Sequence, residues 1–481
     1  MRVLIAASEA VPFAKTGGLA DVTGTLLKVF NGTAGVDAAL MLPLYKGIKE
    51  RFKLAETGIR LVIPVGNARH EGRVWKHDSA YFIECAEFFD RPELYGTKDS
   101  DYPDNPERFA FFCKAALEAC MALDLKPDVV HCNDWQTALM PAYIKSVYSN
   151  DFFRKTASVL TIHNLGYQGI FDPTSFSLTG LGSEWFSAEG AEFYGKVNFL
   201  KAGLVSADII TTVSHTYSGE ILTPEYGFGL DGVLRKRSSD IFSVLNGIDI
   251  KEWDPETDKY IPANYSRSGL NGKALCREAL FKDCGLSVGE SDNPVISFVG
   301  RLSEQKGIDI ILETLDDILS AGALLVVLGK GDERYQSGLA RVAERHKGRV
   351  FVRIGYDDAL SHRIYAGSDI FLMPSRYEPC GLGQLIAMRY GTIPVARKTG
   401  GLADTISDYQ SSDGSGTGFL FEDYNASSLM SRLRHAISVY ADKERWKGLV
   451  MNALGCDFSW ERSAARYAEL YKAAFDKKEI N

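Results

Sequence analysis

Short apolar runs alternate with helically spaced segments along almost the whole chain, and this pattern limits the folds open to it. The runs cover residues 3–7, 38–42, 61–65, 81–85, 129–132, 158–162, 209–213 and 242–245 in the first half. In the second half they cover 295–299, 324–328, 350–354, 370–373, 393–396 and 419–421. Continuous apolar strands separated by helices predict parallel sheets covered by helices on both faces. The fold class is therefore α/β, with two doubly wound sheets. A chain of 481 residues also exceeds one hydrophobic core. The expected organisation is a first domain over 1–245, a second over 246–457, and a terminal helix over 458–481 packing back on the first. That helix shows an apolar face at 460, 464, 467, 468 and 471. A polar stretch, 251–271, lies just past the junction.

The two halves share an echo. Lys15-Thr16-Gly17-Gly18-Leu19-Ala20-Asp21 recurs as Lys398-Thr399-Gly400-Gly401-Leu402-Ala403-Asp404. It reads either as a trace of duplication or as two similar loop-to-helix turns with no shared chemistry.

Composition excludes several function classes. Fifty-four Lys and Arg against 62 Asp and Glu leave a net charge of −8, which argues against a nucleic-acid partner. The eight cysteines, at 85, 113, 120, 132, 276, 284, 380 and 456, include no Cys-x-x-Cys pair. Reduced thiols without a metal site are expected. Cys113 and Cys120, seven apart in a helical segment, read as core. No apolar run is long enough to span a bilayer, and residues 1–7 read as a buried strand, not a signal peptide. A cytoplasmic protein follows (plastid stroma for a mature plant form), in which the Asn31, Asn264 and Asn425 glycosylation sequons go unused.

Four clusters carry chemistry. After the first strand, Lys15-Thr16-Gly17-Gly18 leads into a helix. Adjacent glycines admit close backbone approach, and a helix start favours anions. The turn reads as an anion site or as a plain tight turn; it is not G-x-G-x-x-G, which disfavours a dinucleotide-binding dehydrogenase. Second, Gly300-Arg301-Leu302-Ser303-Glu304-Gln305-Lys306-Gly307 follows a strand and precedes a helix. Arg forks onto phosphate and Lys adds a point charge. The alternative is a solvated basic loop with Glu304 as local partner. Third, Ser375-Arg376-Tyr377-Glu378-Pro379-Cys380-Gly381-Leu382-Gly383-Gln384 again joins strand to helix. Glu378 there can hold sugar hydroxyls, oppose a developing positive charge, or simply cap the helix. Cys380 reads as a small wall residue. Fourth, His131-Cys132-Asn133-Asp134-Trp135 and Thr161-Ile162-His163-Asn164 end two strands. Asp134 and His163 are placed at one sheet edge, Asp134 with an alternative reading as a helix N-cap. Asp99-Ser100-Asp101 has the spacing of some metal-binding transferases, but it reads as a turn beside Tyr102-Pro103. No metal or cofactor is expected.

Taken together, Lys15-Thr16-Gly17-Gly18-Leu19, His131-x-x-Asp134-Trp135, Thr161-Ile162-His163-Asn164, Asn246-Gly247-Ile248-Asp249, Gly300-Arg301-x4-Lys306-Gly307 and Glu378-Pro379-Cys380-Gly381-Leu382 closely resemble the bacterial glycogen synthase and plant starch synthase family. The likeness runs from residue 1 to about 475. It implies a GT-B fold, two Rossmann-like domains facing across a cleft. It implies retaining transfer of glucose from ADP-glucose to the non-reducing end of an α-1,4-glucan. The rivals are a related transferase using UDP-glucose or another acceptor, and a non-catalytic nucleotide-sugar or glucan sensor.

By the same resemblance, Arg301 and Lys306 bind the diphosphate, and Lys15, Gly17 and Gly18 reach the same region. Tyr356 stacks on adenine. Glu378, with Cys380, Gly381 and Leu382, holds the glucose. His163 and Asn246 contact the sugar near its reactive carbon. Asp134 and Tyr95 face the acceptor, and Asp21 lies near the donor. Three positions depart from common family wording: Asn133, where many bacterial members have His; Leu27, where Pro is frequent; and Gln384, in place of a second Glu.

Overall fold

A computed structural model describes residues 1–32, 35–97, 100–290 and 292–480. The chain forms two compact units. One comprises Met1–Leu245 and the helix Trp460–Ile480; the other is Asn246–Ser459.

In the first unit the strand Arg2–Ala6 lies mid-sheet. Four of its five residues are buried, as its apolar run demands. It pairs in parallel with Asp37–Pro43 on one side and Val129–Asn133 on the other. Beyond Val129–Asn133 the parallel order continues through Ala157–Ile162, Ile209–Thr212 and Ile241–Ser243. Beyond Asp37–Pro43 comes Ala80–Glu84, also parallel.

The expectation of a purely parallel sheet fails past that point. Ala68–His77 and Ala55–Val65 run antiparallel and complete a sheet of nine strands among the described residues. Gly66-Asn67 turns this hairpin, with Gly66 at φ 57°, the left-handed backbone that glycine tolerates. The segment 68–77 shows no apolar run because little but Gly72 and Val74 is buried along it. A further three-stranded sheet, Ile170–Phe171, Lys196–Asn198 and Glu192–Phe193, is antiparallel.

The terminal helix Trp460–Ile480 buries Trp460, Ala464, Tyr467, Leu470 and Tyr471 in the first unit's core. Its Tyr471 hydroxyl meets Nδ1 of the fully buried His131 at 2.8 Å, and His131 Nε2 lies 2.6 Å from Thr161 Oγ1. Lys477 Nζ donates to Asp240 at 2.5 Å. The helix thus ties directly into the central strands.

The second unit holds one parallel sheet, in the order Val350–Ile354, Leu324–Gly329, Val295–Val299, Ile370–Met373, Ile393–Arg397 and Phe419–Phe421. The polar stretch 251–271 is anchored to the second unit's core. Asp258 accepts from the Tyr390 hydroxyl at 2.6 Å and lies 2.7 Å from His362 Nδ1, while Trp253 stacks on that imidazole at 4.0 Å.

In both sheets the winding reverses beside the first strand: between Arg2–Ala6 and Val129–Asn133, and between Val295–Val299 and Ile370–Met373. Loops leaving the carboxyl ends there diverge and open a crevice, the usual ligand position in such sheets.

Replacing Tyr471 with Ala removes a wholly buried ring and the partner of His131. Loss of about 3–5 kcal/mol is expected, read as a fall in thermal midpoint; an unchanged midpoint would show that the helix is not part of this core.

Candidate functional site

The crevice of the second unit gathers two of the sequence clusters. The loop after Val295–Val299 carries Arg301 and Lys306; the loop after Ile370–Met373 carries Glu378. Arg376 N donates to Gln305 O at 2.8 Å, so the loops are stitched backbone to backbone. Gly307 makes the approach possible. Its φ is 75°, and a Cβ there would sit 2.1 Å from Pro374 O.

At the centre, Lys306 Nζ lies 2.5 Å from Glu378 Oε2, which also accepts from Ser375 Oγ at 3.0 Å. The Glu378 side chain is 5% exposed and that of Lys306 24%. The enclosed carboxylate therefore depends on its partner, because a buried carboxylate left unpaired costs several kcal/mol. One of the alternatives drawn from sequence does not hold. Glu378 is not seen capping the following helix Gly383–Arg389, which has no side-chain cap. Glu304 pairs with Arg376 at 3.1 Å and with Arg334 at 3.2 Å, not with Lys306. Arg301 is exposed on the same loop.

Cys380, Gly381 and Leu382 continue the Glu378 loop. Cys380 is buried, and burial pushes its thiol up to about 12, which suits a wall and not a nucleophile. The Asn246 backbone N–H reaches that thiol, while Asn246 Oδ1 is buried without a partner. Ser303 Oγ, between Arg301 and Lys306, is likewise buried and unpaired. Unsatisfied buried acceptors are rare and fit a place completed by a ligand. Gln384 Nε2 holds the carbonyls of Cys380 and Gly381, both at 3.0 Å, and so shapes the loop. Tyr356 lies two strands away, past the end of Val350–Ile354, and is 77% exposed.

The second copy of the seven-residue echo backs this loop. A Cβ on Gly400 would meet Glu378 O at 1.9 Å, one on Gly401 would meet Cys380 O at 2.1 Å, and Gly401 N donates to Glu378 O at 3.0 Å. The first copy does something different. Its turn binds an internal anion: the Glu9 carboxylate accepts Thr16 N, Thr16 Oγ1 at 2.7 Å and Gly17 N at 3.1 Å. Lys15 pairs with Asp21 at 2.7 Å, and Gly18 opens the helix Gly18–Asn31.

Glu9, missed in the sequence, organises the first unit's crevice. It is 4% exposed and also accepts from the Tyr95 hydroxyl at 2.6 Å, which lies 2.7 Å from Ser8 Oγ. Its signal was available: an acid three residues past the end of a central strand.

Asp134 proves not to be a helix cap. The next helix begins at Leu139, whereas Asp134, at φ 55°, turns its carboxylate to the neighbouring strand and accepts His163 N at 2.7 Å. Burial pushes this carboxyl up to about 7, against the pull of the His163 and Asn164 backbone N–H groups. His163 Nε2 lies 2.9 Å from Asn133 Oδ1, and burial pushes the imidazole down to about 3. His163 is thus neutral near pH 7.

Of the Asp99-Ser100-Asp101 turn, Asp99 lies outside the described residues; Thr97 N donates to Ser100 O at 2.7 Å. Among the described residues no group of three or more His, Cys, Asp or Glu side chains is placed to hold a metal, and no helix is long and apolar enough to cross a membrane.

Comparison with known proteins decides the family. Residues 2–236 match the starch synthase catalytic domain, and residues 287–448 match the glycosyl transferases group 1. The chain is 45% identical to the glycogen synthase of Thermodesulfovibrio yellowstonii over 499 aligned residues, covering 100% of this chain and 99% of the relative. The chain belongs to the glycogen and starch synthase family. This glycosyltransferase is also 46% identical to the glycogen synthase of Syntrophotalea carbinolica, with 99% of each chain covered. Its fold is that of the GT-B class. The catalytic domain of starch synthase IV from Arabidopsis thaliana, solved bound to ADP and acarbose, aligns with TM-score 0.92 at 34% identity over 99% of both chains. A sucrose-phosphate synthase from Thermosynechococcus elongatus shares the fold at TM-score 0.62 and 16% identity.

The Asp134 carboxyl predicts a pH signature. Its folded value, about 7, exceeds its ordinary 3.8, so the folded state binds the proton more tightly. The stabilisation is complete below the lower value and is lost as pH rises through the upper one. Relative to Asp134→Asn, wild-type stability in denaturant titrations should therefore decline between about pH 4 and 7. A gap constant with pH would contradict a raised Asp134.

Proposed function

We propose that the enzyme transfers glucose from ADP-glucose to the non-reducing end of an α-1,4-glucan with retention of anomeric configuration. The observation that carries this reading is the enclosed Lys306–Glu378 pair beside Arg301 at the second unit's crevice. A diphosphate entering there competes with Glu378 for the Lys306 ammonium. Lys306 and Arg301 then neutralise charge that grows as the glycosidic bond to phosphate breaks. Interactions that strengthen with that charge raise turnover and not merely binding.

Once released from Lys306, the Glu378 carboxylate is free to accept hydroxyl hydrogens from the glucose and to face the cation-like sugar of the transition state. Asn246 Oδ1 and the loop 380–382 are assigned to the same sugar, and Tyr356 to the adenine face. In the first unit, His163 is assigned to the sugar, Asp134 and Tyr95 to the acceptor, and Lys15, Gly17, Gly18 and Asp21 to the donor region. Same-face attack guided by the leaving phosphate is the mechanism assigned to retention, with double displacement through a carboxylate such as Glu378 as its alternative. The ADP and the acarbose bound to the Arabidopsis relative support a diphosphate and an α-glucan as ligands of this family.

Two measurements test the reading. Purified enzyme given glycogen should elongate it faster with ADP-glucose than with UDP-glucose; the reverse preference overturns the donor assignment. Lys306→Ala should lose about 10²-fold or more in kcat, and wild-type turnover would exclude Lys306 from leaving-group stabilisation.

A further inference from the structure

His163 and Asn133 sit on neighbouring strand ends, and their hydrogen bonding has only one consistent assignment. Asn133 is wholly buried at the end of Val129–Asn133. Its backbone is clamped by Thr137, whose Oγ1 accepts Asn133 N at 2.6 Å and lies 2.9 Å from Asn133 O. Its side-chain Nδ2 faces two fixed carbonyls, Ala6 O at 3.1 Å and His131 O at 3.3 Å. Rotating the amide would set its oxygen against both carbonyls, acceptor on acceptor. The two carbonyls therefore fix Oδ1 toward His163 Nε2, at 2.9 Å. An amide oxygen accepts and never donates, so Nε2 must carry the hydrogen.

We propose that Asn133 is a positioning residue that locks the His163 imidazole in its Nε2–H form, so that the ring offers a bare Nδ1 acceptor to a hydroxyl of the transferred sugar. The proposal rests on the assignment of His163 to the sugar made above and gives it a direction: the hydroxyl donates and the ring accepts. Burial keeps the ring neutral, which one proton on Nε2 requires. The groups around it leave this form undisturbed. Asp134 engages the backbone N–H of His163. Glu9 acts on Asp134. His131 is itself held between Thr161 and Tyr471 and neutral, pushed down to about 3 by burial. Nothing in the sequence distinguished this role, because the two residues are 30 apart.

Long-range 1H–15N correlation spectra of the full chain labelled with 15N-histidine read the tautomer directly, with the His163 signals identified by their loss in His163→Gln. The expected spectrum shows Nε2–H at neutral pH, persisting to about pH 5 as a buried neutral ring requires. An Nδ1–H form or an imidazolium at neutral pH overturns the proposal. In Asn133→Leu, a mixture of tautomers and a kcat lower by roughly 10-fold, with a smaller change in donor KM, is expected. A folded Asn133→Leu enzyme with wild-type kcat overturns it. If that variant does not fold, the wild-type spectrum decides alone. The spectrum is independent of which nucleotide sugar is used, so failure of the donor comparison and failure of this proposal are separately visible.

Discussion

The structure of the second unit turns on one enclosed ion pair, the Lys306 ammonium against the Glu378 carboxylate at 2.5 Å. The Glu378 carboxylate, 5% exposed, is held by the Lys306 ammonium and the Ser375 hydroxyl, which ties the two loops together. The close approach of Gly307 to Pro374, the bond from Arg376 N to Gln305 O and the cradle of Gly400 and Gly401 under the Glu378 backbone all serve that closure.

The first unit solves the same problem with neutral and internal partners. Its opening turn offers backbone N–H groups, as any turn into a helix does, and Glu9 takes them. Asp134 holds the end of the neighbouring strand from a left-handed backbone position. Asn133 holds the His163 ring. Glu9, Asp134 and Asn133 are thus each oriented by bonds to backbone or to a neighbouring side chain. Such orientation avoids reorganisation when charge develops in a reaction.

Most strands were legible because parallel sheets bury both faces and leave continuous apolar runs. The hairpin over 55–77 was only half legible, since a strand with one covered face alternates, and Arg60, Arg69, Glu71 and Arg73 fill its open side. The polar stretch 251–271 gave no sign of its packing because its anchors, Trp253, Asp258 and Tyr265, are isolated in sequence and meet their partners only after folding. Glu9 went unnoticed for a similar reason. Its partners, Thr16 and Tyr95, lie seven and 86 residues away.

The sequence alone determined the α/β class and the placing of charged and glycine-rich loops at strand ends, because burial period and turn chemistry are local properties. The tertiary structure alone decided which of those loops meet. The Lys306–Glu378 pair spans 72 residues, and the His163–Asn133 bond spans 30. Strand order sets both, and strand order is a property of the whole sheet that no local pattern encodes.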